Sequence, residues 1–198
     1  MPSMPRAQAA SPEDQARDAY NAGVHSVEKA DALAADAARQ TDARRQQKAL
    51  DKAKSAYAAA RKKFSRAAEL DPRLPEAWNY LGYTQRKLGD YQAALGSYDR
   101  ALALKPGFAE AIEYRGHAYL GLNRLDDAKQ AYLALYGSNR KLAAQLLSGM
   151  QDWIGTHRAN PAGVDAASFD AFASWVSERS AIAAQTASLT REGASAGW

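Results

Sequence analysis

Three features predict an all-α chain built from antiparallel helical hairpins. The first is an internal repeat with a 34-residue period. The second is a series of apolar positions spaced alternately by three and four, which places them on one face of a helix. The third is composition. The chain is rich in alanine and poor in valine and isoleucine, a balance that favours helix over strand.

With 198 residues, 46% of them apolar, the chain is long enough for one domain or a short repeat array with a buried core. It contains no cysteine, which excludes disulfides, thiolate metal sites and cysteine nucleophiles. No apolar run approaches the roughly 20 residues needed to span a bilayer.

Residues 1–13 hold three prolines and little apolar content, so they read as a disordered terminus. The start has no apolar core of a signal peptide, but Ala7-Gln8-Ala9 is like the small-residue end of one. This predicts an exported or periplasmic chain, with a cytoplasmic chain bearing an Ala-rich terminus as the alternative.

A helical hairpin is expected over 14–74. Its first helix opens at Ser11-Pro12-Glu13-Asp14, with proline and acids in the first turn. Ala16, Ala19 or Tyr20, Gly23, Val27, Ala30, Ala34 and Ala37 line one face. A break falls near Gln40-Thr41-Asp42, with Asp42 as N-cap. The second helix carries Leu50, Ala53, Tyr57, Ala60, Phe64 and Ala67 at three-four spacing. It stops at Leu70-Asp71-Pro72, because a proline disfavours helical geometry in the residue before it.

The repeat occupies 75–108 and 109–137. A shift of 34 aligns Trp78 with Ile112, Gly82 with Gly116, Ala94 with Ala128 and Tyr98 with Tyr132. The same shift backwards aligns Ala94 with Ala60, Tyr98 with Phe64, Ala101 with Ala67 and Pro106 with Pro72. After it, Gly137-Ser138 reads as a helix stop and a new cap. Residues 138–189 then form two helices, one carrying Leu142, Leu146, Met150 and Trp153. The other is capped by Asp165 and carries Phe169, Phe172, Val176, Ala183 and Leu189. Residues 190–198 read as a flexible tail.

Trp78, Leu81, Gly82, Ala94, Tyr98, Ala101 and Pro106, followed by Gly116, Tyr119, Ala128 and Tyr132, resemble the tetratricopeptide repeat (TPR) family. The sequence departs from that pattern at Gln85 and Arg115, where apolar residues are usual, and at Arg140, where a closing proline is usual. The first repeat keeps its second helix cleanly, and its first helix is set off by an insertion that lengthens the hairpin.

The resemblance implies a short right-handed solenoid of stacked helix-turn-helix repeats, with the long N-terminal hairpin before it and C-terminal capping helices after it. It also implies a concave groove lined by the first helix of each repeat. Carried over residue by residue, the groove positions are Asn79, Tyr83, Arg86, Lys87, Glu113, His117 and Leu120. This polar, aromatic and cationic set suits an extended peptide or a helix with acidic character. One subfamily grips the carboxylate tails of heat-shock chaperones with a Lys/Asn/Arg clamp. With 75–108 taken as the first repeat, Asn79 and Tyr83 stand at the clamp's first Lys and Asn positions and do not match them.

Net charge is +4, but the stretch from Arg44 to Arg66 holds nine basic residues against one acid. Arg44, Arg45, Lys48, Lys52, Arg61, Lys62, Lys63 and Arg66 leave the apolar stripe clear. They form either a solvated outer face or a surface for an acidic partner. No aromatic residues interleave on that side, so nucleic acid is not the expected partner. His25, His117 and His157 show no metal-ligand spacing, and no phosphate loop or GxSxG element is present. No catalytic residue, metal or cofactor is therefore expected.

The leading reading is a non-catalytic protein-binding scaffold or adaptor. A self-associating structural subunit, or basic-surface docking on an acidic partner, is the alternative. If the repeat packs as its small residues imply, Ala101→Leu overfills the contact between paired helices. Thermal denaturation is then expected to show a loss of about 1–3 kcal/mol.

Overall fold

The computed structural model describes residues 10–160 and 163–195, the last nine of these by backbone alone. The start at Ala7-Gln8-Ala9 lies outside the described residues. The chain divides into two compact units, Met1–Gly107 and Phe108–Trp198, and every described element is helical.

The first unit contains α1 (Pro12–Arg39), α2 (Ala43–Leu70), α3 (Pro75–Lys87) and α4 (Tyr91–Leu104). Local chemistry sets these boundaries. The Ser11 hydroxyl accepts from the Asp14 amide at 3.1 Å, and Pro12 occupies the first turn, where its missing N–H costs nothing. Asp42 caps α2 by accepting from the Arg45 amide at 2.8 Å. Gly89 turns the chain between α3 and α4 at φ 85°, a conformation open to glycine, and Asp90 caps α4.

Both hairpins of this unit are held by the same close contact. A Cβ on Gly82 would lie 2.6 Å from the Tyr98 ring, and a Cβ on Gly23 would lie 2.6 Å from the Phe64 ring. Tyr98 and Phe64 are fully buried. The sequence shift that aligns the rings is 34 residues, whereas the glycines are 59 apart. The difference is the insertion. It gives α1 and α2 28 residues each, against 13 in α3 and 14 in α4. Antiparallel pairing continues along it, with Asp31 opposite Tyr57.

α3 joins α2 through the Trp78 indole, which donates to the Pro72 carbonyl at 3.0 Å. Tyr20, Phe64, Tyr80, Tyr83 and Tyr57 then form a continuous aromatic ladder across α1, α2 and α3, with neighbouring centroids 5.0–6.3 Å apart. Gln85, the departure from the repeat pattern, accepts a hydrogen bond from the buried Ser97 hydroxyl at 2.7 Å. A polar residue is tolerated there because α4 supplies its partner.

The second unit contains α5 (Ala109–Gly121), α6 (Leu125–Ser138), α7 (Arg140–His157) and α8 (Ala166–Ser195). Asn123 takes the left-handed conformation between α5 and α6 at φ 57°, which asparagine tolerates better than most residues. α7 and α8 supply much of this unit's core through Leu146, Met150, Trp153 and Phe172. Trp153 packs edge-on against Phe172 at 5.6 Å.

Three boundary details differ from expectation. The α6–α7 break falls at Asn139 rather than at Gly137-Ser138, because Asn139 ends α6 and its side chain accepts from the Leu142 amide at 3.1 Å. With Arg140 in place of a proline, nothing forces a longer turn. α8 continues through Ser195 into the expected tail 190–198. On α2, Ala49 is buried and Leu50 is 38% exposed, so the apolar face begins one residue earlier.

The glycine contact yields a paired prediction. Gly82→Ala forces the enclosed Tyr98 ring to move and is expected to destabilise by about 1–3 kcal/mol. Gly96→Ala, in a helix interior with nothing within 4 Å of the added carbon, is expected to stabilise by about 0.5–1 kcal/mol. Denaturant titration of both variants checks the opposite signs.

Candidate functional site

The expected groove residues divide between the two units. In the first, α3 carries Asn79, Tyr83, Arg86 and Lys87. Asn79 is 2% exposed and its Oδ1 is enclosed, so it is a buried residue rather than an open contact. Tyr83 is also buried. Its hydroxyl donates to Asp31 Oδ1 at 2.7 Å, and the Tyr57 hydroxyl donates to the same oxygen at 2.5 Å. One carboxylate on α1 thus ties α2 and α3 together.

The cations lie over these rings. The Arg86 guanidinium is 5.3 Å from the Tyr83 centroid, and the Lys87 ammonium is 5.4 Å from Tyr83 and 5.8 Å from Tyr57. Arg86 is half-buried and Lys87 exposed.

The sequence reading placed Tyr20 on the inner face of the first helix but not among the site residues, and it did not single out Val24, Asp31 or Tyr80; all four are half-buried. Aligning Gly23 with Gly82 sets Tyr20 beside Asn79 and Val24 beside Tyr83 as equivalent positions. That alignment was the available signal for Tyr20 and Val24, and the insertion concealed it; Asp31 and Tyr80 have no groove counterpart in it.

In the second unit, Glu113 and Leu120 are buried and His117 is half-buried against α7, so they do not line an open surface. Glu113 and Leu120 are 5% and 4% exposed. A Cβ on Gly149 would lie 2.2 Å from the His117 ring, and one on Gly116 would meet Leu146 at 2.6 Å. Glu113 Oε1 and His117 Nε2 are 2.9 Å apart. The correction has a packing cause: Leu146 and Gly149 bring α7 directly onto the face of α5 that the repeat pattern leaves open.

The expected basic surface is all on α2. Arg44, Arg45, Lys48, Lys52, Lys62 and Arg66 are exposed, and Arg61 and Lys63 are half-buried. Lys63 donates to the Ser26 hydroxyl at 2.7 Å and the Ala22 carbonyl at 3.1 Å, stitching α2 to α1. Arg66 lies 3.7 Å from Glu69.

Among the described residues, no group of three or more His, Cys, Asp or Glu side chains could hold a metal ion. Nor is any described helix long and apolar enough to cross a membrane.

Burial pushes the Tyr20 hydroxyl up to about 12, with Tyr80 and Glu76 adding to the effect. Burial also raises Tyr57 and Tyr83, and their hydrogen bonds to the Asp31 carboxylate raise them further. The folded state therefore holds these protons more tightly than the unfolded chain, whose tyrosines ionise near 10. The stabilisation is complete below pH 10 and is lost as pH rises through the folded values. Melting temperature is expected to hold to about pH 10 and fall above it, with a shallower fall in Tyr83→Phe. Melts across that range test this, and an equal fall in both proteins would disprove it.

Against known proteins, residues 75–108 match the family model of the tetratricopeptide repeat. Comparison with curated proteins gives no significant match. Among solved structures, the chain is similar to the first TPR domain of the human RPAP3 protein, with 21% identity over 54% of this chain and 85% of that one, at a TM-score of 0.45. The matched segment is the one that carries Trp78, the Gly82–Tyr98 contact and Pro106, so the similarity to a tetratricopeptide repeat rests on residues 75–108.

Proposed function

We propose that the chain is a non-catalytic scaffold that binds a peptide or helix of another protein on the α1–α3 face of its first unit. Tetratricopeptide repeats generally mediate protein–protein interaction, and that is the coarse basis of the reading. The observation that carries the finer statement is the tied cluster of Asp31, Tyr57, Tyr83, Arg86 and Lys87. Its aromatic rings are fixed by a shared carboxylate, and its two cations lie over those rings. Such a site is ordered before a partner arrives, so little side-chain freedom is lost on binding.

Within this cluster the roles divide. Tyr83 and Asp31 position it, whereas Arg86 and Lys87 face the partner and pair with carboxylates. Tyr20 and Tyr80 offer half-buried rings to an apolar side chain. Asn79 helps form the floor and does not reach a partner. A half-buried and an exposed cation beside fixed rings favour an acidic peptide with at least one apolar residue.

The test is capture of partners from a lysate of the source cells at physiological salt, with wild type and Arg86→Glu/Lys87→Glu. Melting curves establish that the variant folds before capture is compared, since Arg86 is half-buried over Tyr83. A discrete protein retained by wild type and reduced about tenfold or more by the variant is the expected result, since two charge reversals are worth on the order of 1–2 kcal/mol. Equal retention by the two would move partner binding off this face.

A further inference from the structure

The insertion in the first hairpin has a surface of its own. α3 engages the hairpin at Asp31 and Tyr57 through Tyr83 and Lys87. Over residues 32–56 the fully buried side chains are all alanines: Ala37, Ala49 and Ala53. Alanine lets the two helices approach closely but buries little area. The larger apolar side chains here, Leu33 and Leu50, are half-buried and exposed.

A cleft of about 760 Å³ runs along one side of this segment, between α1 and α2. Leu33 and Ala56 give it an apolar floor, with Ser55 beside them, and Lys29, Lys48 and Lys52 stand around it. All three lysines are exposed, and none has a carboxylate partner among the described residues. One acid, Asp51, also lines the cleft, where its Oδ1 accepts from the Gln47 amide at 2.9 Å, and the three lysines outweigh its charge. Farther along the same helix, Arg44, Arg45, Lys62 and Arg66 extend the positive field.

We infer that this cleft is a second docking surface, which receives an acidic amphipathic helix of a partner protein. Unpaired lysines beside an apolar floor define the occupant's chemistry. Its carboxylates meet Lys29, Lys48 and Lys52, and a leucine-sized side chain settles on Leu33 and Ala56. A nucleic-acid backbone would satisfy the lysines and leave that floor in water, so it is the poorer fit. The surface shares no residue with the α1–α3 cluster proposed above, so the two stand or fall separately.

The experiment uses the full chain and a fluorescent synthetic peptide of about 18 residues, five helical turns, with leucines at three-four spacing and glutamates elsewhere. Anisotropy at physiological salt is expected to show saturable binding. Lys29→Ala/Lys48→Ala/Lys52→Ala is expected to weaken it about tenfold, the sum of three exposed ion pairs, and Leu33→Gln to weaken it as well. Arg86→Glu/Lys87→Glu is expected to leave it unchanged.

Circular dichroism melts confirm that each variant folds. Equal binding by the triple-lysine variant would overturn the inference. So would equally tight binding of polyglutamate, a single-stranded oligonucleotide or phosphatidylserine vesicles, because each lacks a leucine face and would report bulk charge. Absence of binding by wild type would overturn it too.

Discussion

The first unit depends on one steric constraint, the absence of a side chain where a ring must lie. Gly23 and Gly82 each leave the space that Phe64 and Tyr98 fill, with ring atoms where a Cβ would otherwise be. The distance between paired helices follows from that contact, and alanines at Ala60, Ala94 and Ala101 keep the rest of the interface equally thin. Once the hairpins are this close, the Trp78–Pro72 bond and the aromatic ladder have fixed surfaces to join.

The polar features sit on this frame rather than create it. Asp31 receives two tyrosine hydroxyls from two different helices, so a single carboxylate orders the side chains that the cations cover. Burial of both tyrosines makes the arrangement dependent on their protons. The hairpin also separates its charges. α1 holds six acids against three cations, Arg17, Lys29 and Arg39, whereas α2 holds nine cations against two acids. On balance the two helices attract one another, with the exception of the cleft where Lys29 meets Lys48 and Lys52.

Much of this was legible in the sequence because small residues and rings recur at a fixed spacing. The period of 34 finds Phe64, Tyr98 and Tyr132 at once, and the caps at Asp42 and Asp165 announce themselves by residue type. Gly23 escaped the same period because the insertion moves it out of step. The burial of Asn79 and the covering of Glu113, His117 and Leu120 escaped for another reason. Periodicity assigns a residue to a helix face, but what packs on that face is decided by a distant segment. Leu146 and Gly149 carry no local mark of their contact with α5. The partner of Gln85 was equally hidden, since Ser97 is unremarkable until the helices are paired.

The insertion has a bearing on how such a hairpin can change length. Measured from the glycine and from the ring, α1 gains eleven residues and α2 gains fourteen, while the connecting turn keeps three. At about 3.6 residues per turn these are close to three and four whole turns, so the inward face of each helix returns to nearly the same angle. Arm length in this architecture is thus quantised. Segments of near-integral turns lengthen the arm without rotating its seam, whereas an added pair of residues would turn an alanine seam by more than half a circle and expose it.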